Sequence, residues 1–244
     1  MRRFIYLLRI LRYLHWTIYI NFKYLPLRQA IKLPIFLYKP RFGTLGGGIS
    51  IACPDSLIKP GMIALGFPSQ MMYPNDGFFF EIAGEGKLIF RGSTFWGNGS
   101  GISVGPKGKL IIGEDVFARV QVRCCAYHYI NIGDHTLFAW NILLMDTSFH
   151  TMKDAISHQK IKEHPYGPII IGNYNWIGSN VIILKGVKTV SHTTIAAGTV
   201  MTKNLNSPEY SIIGGSPVKI LKNGYYCERR DSEVEYTWYN ENLD

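Results

Sequence analysis

The sequence predicts an all-β fold in which short strands wind into a triangular prism of stacked coils, preceded by a short helical segment and interrupted by one inserted loop. The main observation is a six-residue period that begins at Ile171. A helix repeats near 3.6 residues and an ordinary strand near 2, so neither explains a period of six. The hexads open at Ile171, Ile177, Ile183, Thr189, Ile195 and Met201.

The second position of these hexads is often small, as at Gly172, Gly178 and Ala196. If each hexad is one short strand followed by a tight corner, three hexads close one turn and the opening residues stack inside the prism. Small residues would then be needed beside each corner, because the backbone turns sharply there. The alternative is an antiparallel sandwich, which would show turn signals every 8–12 residues and no fixed register. The hexads therefore favour the coils.

The same register continues upstream, which sets the expected extent of the coiled domain. IGDHTL, FAWNIL and LMDTSF start at Ile132, IGEDVF and ARVQVR start at Ile112, and less regular coils reach back towards Ile49. The sequence thus divides into a basic amphipathic segment (residues 1–41), a coiled domain (42–222) with an inserted loop near 150–168, and an acidic, aromatic tail (223–244). We expect the tail to pack on the coils or on a neighbouring subunit.

The formal charge of +9 is concentrated at the start of the chain. Nine basic residues and no carboxylate precede Asp55, whereas the remainder carries 17 basic and 17 acidic residues. A nucleic-acid-binding domain would usually carry its basic excess on the folded body. The pattern therefore excludes nucleic acid as the expected partner and favours a membrane surface.

The first 25 residues are strongly apolar but are interrupted by Arg9 and Arg12, so no uncharged run of about 18 residues exists for a spanning helix. No small-residue cleavage site precedes Ala30. On a helix, Arg2, Arg9, Arg12 and Lys23 fall on one side, which is typical of an interfacial amphipathic helix. The alternative is that the helix packs on the protein itself or on a neighbouring subunit. The expected location is cytoplasmic, with peripheral association at the inner face of the cell membrane.

The stretch GPIIIGNYNWIGSNVIILKGVKTVSHTTIAAGTVMTKNL, followed by IIGGSPVKILK, resembles the hexapeptide-repeat acyltransferases. Their fold is the left-handed parallel β-helix. Within that superfamily the chain is similar to the sugar O-acetyltransferases, including the galactoside and maltose enzymes and those of polysaccharide and lipopolysaccharide biosynthesis. The similarity is closest over residues 130–222 and weaker over 42–129. It implies acetyl-CoA as the co-substrate, a sugar or glycan hydroxyl as the acceptor, and a homotrimer with active sites between subunits.

The resemblance also implies roles for individual residues. Its catalytic histidine corresponds to His150, in DTSFH, and its thioester-binding backbone to Gly178 and Ser179. The other positions that it assigns to acetyl-CoA are Trp176 beside the channel, Ala197, Thr202 and Lys203 along the pantetheine, and Lys219 and Lys222 at the CoA phosphates.

Histidine suits the base of this reaction because its unperturbed pKa lies near working pH, and a sugar hydroxyl attacks only as its proton is removed. Asp146, four residues before His150, could hold the second imidazole nitrogen, or it could instead satisfy backbone at a coil corner. No nucleophilic serine or cysteine is needed, because the hydroxyl can attack the thioester directly.

The acceptor positions depart from the family pattern. Where the galactoside-type enzymes have an Asn and an Asp, this chain has Arg119 and Tyr127. DTSFH is one residue longer than their equivalent stretch and lacks the proline that follows the histidine. We therefore expect a different acceptor pocket, with Arg119, Tyr127 and Trp140 as candidate contacts.

Three other functions remain as alternatives. N-acetylation of an amino sugar, free or nucleotide-linked, would call for a nucleotide-binding region, and no GxGxxG unit is visible. A zinc enzyme on the same fold needs three converging histidines, which the hexad spacing does not provide, so no metal is expected. A non-catalytic β-helix scaffold would not need the WIGSN, IAAGT and GGSP elements together.

Overall fold

The computed structural model describes residues 8–70, 72–161 and 164–227. Two short helices, α1 (Leu14–Tyr24) and α2 (Leu27–Ala30), precede a prism of parallel strands, and a 3-10 turn covers Asp55–Leu57. Arg2 and most of the predicted acidic tail, residues 228–244, lie outside the described residues. Within the described ranges, no helix combines the length and apolar character required to cross a membrane.

Each coil contributes strands to three faces. The first face contains β1 (Ile35–Leu37), β4 (Ile63–Phe67), β7 (Thr94–Gly97), β14 (Trp176–Ile177), β16 (Thr194–Ile195) and β18 (Ser211–Gly214). The second contains β2 (Pro40–Leu45), β5 (Phe78–Ile82), β8 (Ser100–Val104), β15 (Ile182–Leu184) and β17 (Val200–Met201). The third contains β3 (Gly48–Ile51), β6 (Lys87–Phe90), β9 (Lys109–Ile112), β11 (Tyr129–Ile132) and β13 (Ile169–Ile171). β10 (Val116–Ala126) and β12 (Leu137–Met145) continue from the first face into the second, and β19 (Lys219–Asn223) pairs antiparallel with β18.

The all-β prediction of parallel, hexad-based coils is confirmed, and the opening residues form its core. Ile177, Ile183, Ile195 and Met201 are completely buried, and burial of an aliphatic side chain of this size contributes about 1.5–3 kcal/mol. Thr189 is the polar exception, and its hydroxyl accepts hydrogen bonds from the backbone N–H of Gly172 and the Asn175 amide.

The small residues serve coil stacking rather than the turn itself. The left-handed backbone conformation at the corners is adopted by larger residues, including Asn141, Asn180 and Tyr174, with φ of 54°, 60° and 57°. A Cβ on Gly172 would lie 2.5 Å from the carbonyl carbon and oxygen of Val190 in the next coil. Glycine is needed there because successive coils approach to backbone contact.

The coils begin earlier than the sequence period suggested. β1 and the first residues of β2 lie before residue 42, and they pair with β4 and β5, with Ile35 opposite Ile63. Helix α1 covers the open edge of β1. The Asn21 amide accepts from the N–H of Ile35 at 3.1 Å and donates to its carbonyl at 2.8 Å, and the Thr17 hydroxyl accepts from the N–H of Leu37.

This packing gives α1 an unusual orientation. Its buried residues are Thr17, Ile20 and Asn21, because the edge of a sheet offers backbone groups that polar side chains can satisfy. Ile20, Leu25 and Ala30 are buried, but many other apolar side chains of the N-terminal region point outward. Those that are exposed are Leu8, Leu11, Trp16, Ile18, Tyr19, Phe22, Leu27 and Ile31.

The inserted loop connects β12 to β13 and leaves the prism where the second face ends. Its two ends are held together by a bridge between Thr147 and Tyr166, and by a hydrogen bond of 2.7 Å from the N–H of Ser148 to the carbonyl of Pro165. The loop is thus a projection anchored at its base, and His150 lies next to that base.

Candidate functional site

A groove with a volume of about 450 Å³ runs along the first face. It crosses the strands β10, β12, β14 and β16, and its floor and walls come from four successive coils. The residues that line it are Arg119, Leu137, Ala139, Trp140, Trp176, Gly178, Ser179, Thr194, Ile195, Ala196, Ala197 and Cys227.

The groove exists because small and large residues occupy separate columns. The pairs of Phe138 with Ile177 and of Ile177 with Ile195 place Ala139, Gly178 and Ala196 one above the other on successive coils. A Cβ on Gly178 would lie 2.7 Å from the backbone nitrogen of Ala197, so there is no room for a side chain at this position. Trp140 and Trp176 stand beside it. The groove is therefore narrow, with a floor of small residues and walls of aromatic rings, and this shape fits an extended chain.

Two backbone N–H groups in the groove have no acceptor in the part of the chain that the structure describes. The N–H groups on either side of Ser179 donate to the carbonyls of Ile195 and Trp140, and those on either side of Ala197 donate to other coils. For Ser179 and Ala197 themselves, no acceptor is found among the described residues. Because an N–H group is an obligatory donor, these two positions can bind polar atoms of a ligand.

Four of the eight predicted acetyl-CoA positions line this groove, namely Trp176, Gly178, Ser179 and Ala197. The other four lie outside it, two on the second face and two beyond its C-terminal end. Thr202 and Lys203 follow β17, whereas Lys219 and Lys222 lie on β19, next to β18. All four are exposed, and Lys222 Nζ lies 5.5 Å from the centre of the Tyr225 ring.

The predicted acceptor contacts separate into two places. Arg119 and Trp140 line the groove, whereas Tyr127 lies at the corner between the second and third faces. There its ring meets Phe149 edge-on at 4.8 Å, and its hydroxyl lies 3.2 Å from that of Ser103. Within one chain, Tyr127 therefore lies beside the start of the inserted loop and does not line the groove.

His150 is exposed and is not among the lining residues of the groove. It follows Phe149, which adopts a left-handed φ of 59°, and the Ser148 hydroxyl donates to the His150 carbonyl at 3.2 Å. The loop leaves the prism at Met145, which pairs with Leu184 on the second face, whereas Gly178 lies on the first face, before the corner at Asn180. A single chain therefore does not bring His150 to the groove.

Asp146 is completely buried, and both of its carboxylate oxygens are occupied by backbone. One accepts from the N–H of Tyr127 at 2.9 Å and the other from the N–H of His128 at 2.8 Å. Burial raises the pKa of the Asp146 carboxyl, and these hydrogen bonds act in the opposite direction. Of the two roles that the sequence allowed for Asp146, these bonds correspond to support of a coil corner, and they do not orient the His150 ring.

Several lining residues were not among the sequence candidates. Ala139 and Ala196 could have been found, because they occupy the same column as Gly178. Leu137 and Thr194 lie on either side of Trp176 on adjacent coils. They could also have been found, because they occupy the same position in their coils as Trp176. Cys227 reaches the groove from the C-terminal segment, and no sequence pattern marks it. In the part of the chain that the structure describes, no group of three or more His, Cys, Asp or Glu side chains could hold a metal ion.

Comparison with known proteins gives the following relatives. No protein-family model matches the chain. The galactoside O-acetyltransferase of Escherichia coli K12 is 32% identical over 111 residues, 46% of this chain and 52% of its own. The chloramphenicol acetyltransferase of Morganella morganii is 37% identical over 78 residues, 32% of this chain and 36% of its own. A putative lipopolysaccharide biosynthesis O-acetyl transferase of E. coli K12 is 24% identical over 147 residues, 58% of this chain and 74% of its own.

Among solved structures, the polySia specific acetyltransferase NeuO is similar with a TM-score of 0.53 and 22% identity, over 82% of this chain and 86% of its own. This similarity supports the left-handed β-helix fold. The chain spans about half of the galactoside enzyme and about a third of the chloramphenicol enzyme. The resemblance to hexapeptide-repeat sugar acetyltransferases is confirmed by these sequence and fold similarities.

Proposed function

We propose that this protein transfers the acetyl group of acetyl-CoA to a sugar hydroxyl during the synthesis of a surface polysaccharide or lipopolysaccharide. The observation that carries the proposal is the groove on the first face. It contains Trp176, Gly178, Ser179 and Ala197, and two of its N–H groups have no acceptor among the described residues. The names of the relatives, which are acetyltransferases of sugars and of other hydroxyl compounds, support the same class of reaction.

In this proposal the pantetheine chain lies along the column of small residues, with the Ala197 N–H donating to one of its amide carbonyls. The adenosine end then points towards Lys219 and Lys222, which pair with β18 on the same face, and their charges pair with the CoA phosphates. The thioester carbonyl lies at Ser179, whose N–H donates to the oxyanion that forms during attack. A donor of this kind is worth about 3–4 kcal/mol in other acyl transfers.

His150 acts as the general base. Its imidazole takes the proton of the acceptor hydroxyl while the hydroxyl oxygen forms a bond to the thioester carbon. The tetrahedral intermediate then collapses, the bond from carbon to sulfur breaks, and the imidazolium returns the proton to the CoA thiolate. The products are the acetylated sugar and free CoA, so no covalent enzyme intermediate is required.

The active enzyme in this proposal is a homotrimer in which the His150 of one subunit meets the groove of the next. Two observations support it. His150 projects from the prism and lies apart from the groove of its own chain. In addition, the buried indole N–H of Trp140 has no acceptor among the described residues, a cost that a bound ligand or second subunit would remove.

The test is direct. Purified protein is incubated with acetyl-CoA and candidate sugars, free CoA thiol is measured over time, and the product is identified by mass spectrometry. Calorimetry with acetyl-CoA alone gives an independent measurement. We expect binding and a product heavier than the acceptor by one acetyl group. Failure to bind acetyl-CoA would favour the scaffold alternative, whereas acetylation of an amine in place of a hydroxyl would favour the N-acetyltransferase.

We further propose that the N-terminal region holds the enzyme peripherally at the inner face of the cell membrane. Exposed Leu11 and Phe22 are each followed by an exposed cation, Arg12 and Lys23, and no carboxylate precedes Asp55, which pairs with Arg28. Anionic lipid headgroups complement such a surface, and its apolar side chains can enter the interface.

This proposal predicts that the double variant Leu11→Ser/Phe22→Ser loses membrane affinity, because both side chains are about half exposed, at 54% and 50%. The partition coefficient onto vesicles of 30% phosphatidylserine in phosphatidylcholine, measured by co-sedimentation, should fall by about tenfold or more. Ile156→Ser is the matched control, since Ile156 is 91% exposed in the inserted loop. Equal binding of the wild type to neutral and anionic vesicles would contradict the proposal.

A further inference from the structure

Arg119 occupies the end of the groove that lies farthest from the proposed CoA phosphates. The pairs of Ala118 with Phe138 and of Phe138 with Ile177 align Arg119, Ala139 and Gly178 on three successive coils. Since neighbouring strands are 4.7–4.9 Å apart, the Cα of Arg119 is roughly 10 Å from that of Gly178. If the thioester lies at Gly178 and Ser179, Arg119 is on the acceptor side of it.

Among the described residues that line the groove, Arg119 is also the only one with a charged side chain. Its neighbours there are apolar or uncharged, and its guanidinium lies 5.6 Å from the centre of the Phe117 ring, which limits its movement. Within the described residues, no carboxylate is close enough to form an ion pair with it. A cation beside an apolar groove, without a counter-ion among the described residues, is a binding position for an anion.

We propose that Arg119 selects an acceptor sugar that carries an anionic group, a carboxylate or a phosphate, within one sugar residue of the acetylated hydroxyl. The planar fork of N–H donors in a guanidinium matches both groups, with two parallel hydrogen bonds. The proposal rests on the function stated above and specifies its substrate class. The ring of Trp140, which also lines the groove, provides apolar surface for the sugar ring.

Three pairs of acceptors test this selectivity, each pair differing in the anionic group. They are 4-nitrophenyl β-D-glucuronide against the β-D-glucoside, N-acetylneuraminic acid against its methyl ester, and glucose 6-phosphate against glucose. We expect kcat/KM to be about tenfold or more higher for the anionic member of at least one pair, the value of a hydrogen bond to a charged group. The first two pairs report a carboxylate site and the third a phosphate site. Equal or higher values for all neutral members would overturn the proposal, as would acetyl-CoA binding without turnover of any anionic member.

Arg119→Gln should abolish the preference while leaving the KM for acetyl-CoA unchanged, and Arg119→Lys should retain part of it. Arg91→Gln is the control, because Arg91 is exposed and outside the groove. Thermal unfolding checks that each variant is folded. If Arg119→Gln raises the KM for acetyl-CoA and not that for the acceptor, Arg119 serves the cofactor and the inference is wrong. If the wild type fails to bind acetyl-CoA, the proposed function itself has failed, which calorimetry distinguishes.

Discussion

Replacing His150 with alanine should lower kcat by about 10²–10⁴-fold, the contribution of a general base to this type of reaction. The dissociation constant for acetyl-CoA should stay within about twofold, because the groove that binds the cofactor does not include His150. Stability should also be unaffected, since the side chain is exposed. The measurements are steady-state kinetics by release of CoA thiol, calorimetry with acetyl-CoA, and thermal unfolding.

The matched control is His158→Ala, which removes an exposed imidazole from the same inserted loop. It should keep wild-type turnover. If His150→Ala also retained turnover within about twofold, another group would have to remove the proton, and the site as proposed would be wrong.

The same variant tests the proposed contact between subunits. Chains with His150→Ala are mixed, after unfolding, with chains in which Ala197→Trp fills the groove. Each variant alone should be inactive, whereas mixed trimers contain some sites with an intact His150 facing an intact groove. Part of the wild-type activity should therefore return. No recovery, in mixtures that size-exclusion chromatography shows to be trimeric, would indicate that His150 and the groove of one chain act together.

Replacing Asp146 with alanine should lower the free energy of unfolding by about 2–4 kcal/mol. The side chain is fully buried, and its loss leaves the N–H groups of Tyr127 and His128 without acceptors, each at a cost of about 1–3 kcal/mol. Turnover should fall as well, because the loop that carries His150 leaves the prism at this corner. Urea unfolding measures the first effect and steady-state kinetics the second.

Glu85→Ala is the control for Asp146→Ala, since it removes a carboxylate from an exposed position on another coil. Its effect on stability should remain within about 0.5 kcal/mol. If Asp146→Ala left stability unchanged and lowered only kcat, the carboxylate would be acting on His150 and not on the backbone. That outcome would support the other role that the sequence allowed for Asp146, which is to hold the second imidazole nitrogen of His150.

Much of the groove was predictable because residues one complete turn apart in the sequence lie one above the other in the prism. Gly178, Ala196 and Gly214 are 18 residues apart, which is three hexads and one complete turn. Ser179 and Ala197 show the same interval. Residues at this spacing must lie one above the other on the same face, so the motif residues from Trp176 to Ala197 could be expected to form one surface.

The site residues outside this register were not predictable in the same way. Asp146 lies 19 residues from Tyr127, at a corner where the coil is interrupted by the inserted loop. Whether its carboxylate faces the loop or the backbone depends on which buried N–H groups lack an acceptor, and that is known only when the coils are stacked. Cys227 is a second example, because it reaches the groove from a segment that follows the last strand.

The sequence by itself determined the coiled fold, its core and the column that forms the floor of the groove. The reason is that a period of six specifies which side chains face the core of the prism and which face away from it. Only the tertiary structure decided which face of α1 is buried. The open edge of β1 needs partners for its N–H and carbonyl groups, so Thr17 and Asn21 face the protein together with Ile20, and the apolar side chains of Trp16, Ile18, Tyr19 and Phe22 face outward. An interval along the chain predicts which side chains share a column, whereas the partners of a sheet edge and of an interrupted corner are set by the packing of distant segments.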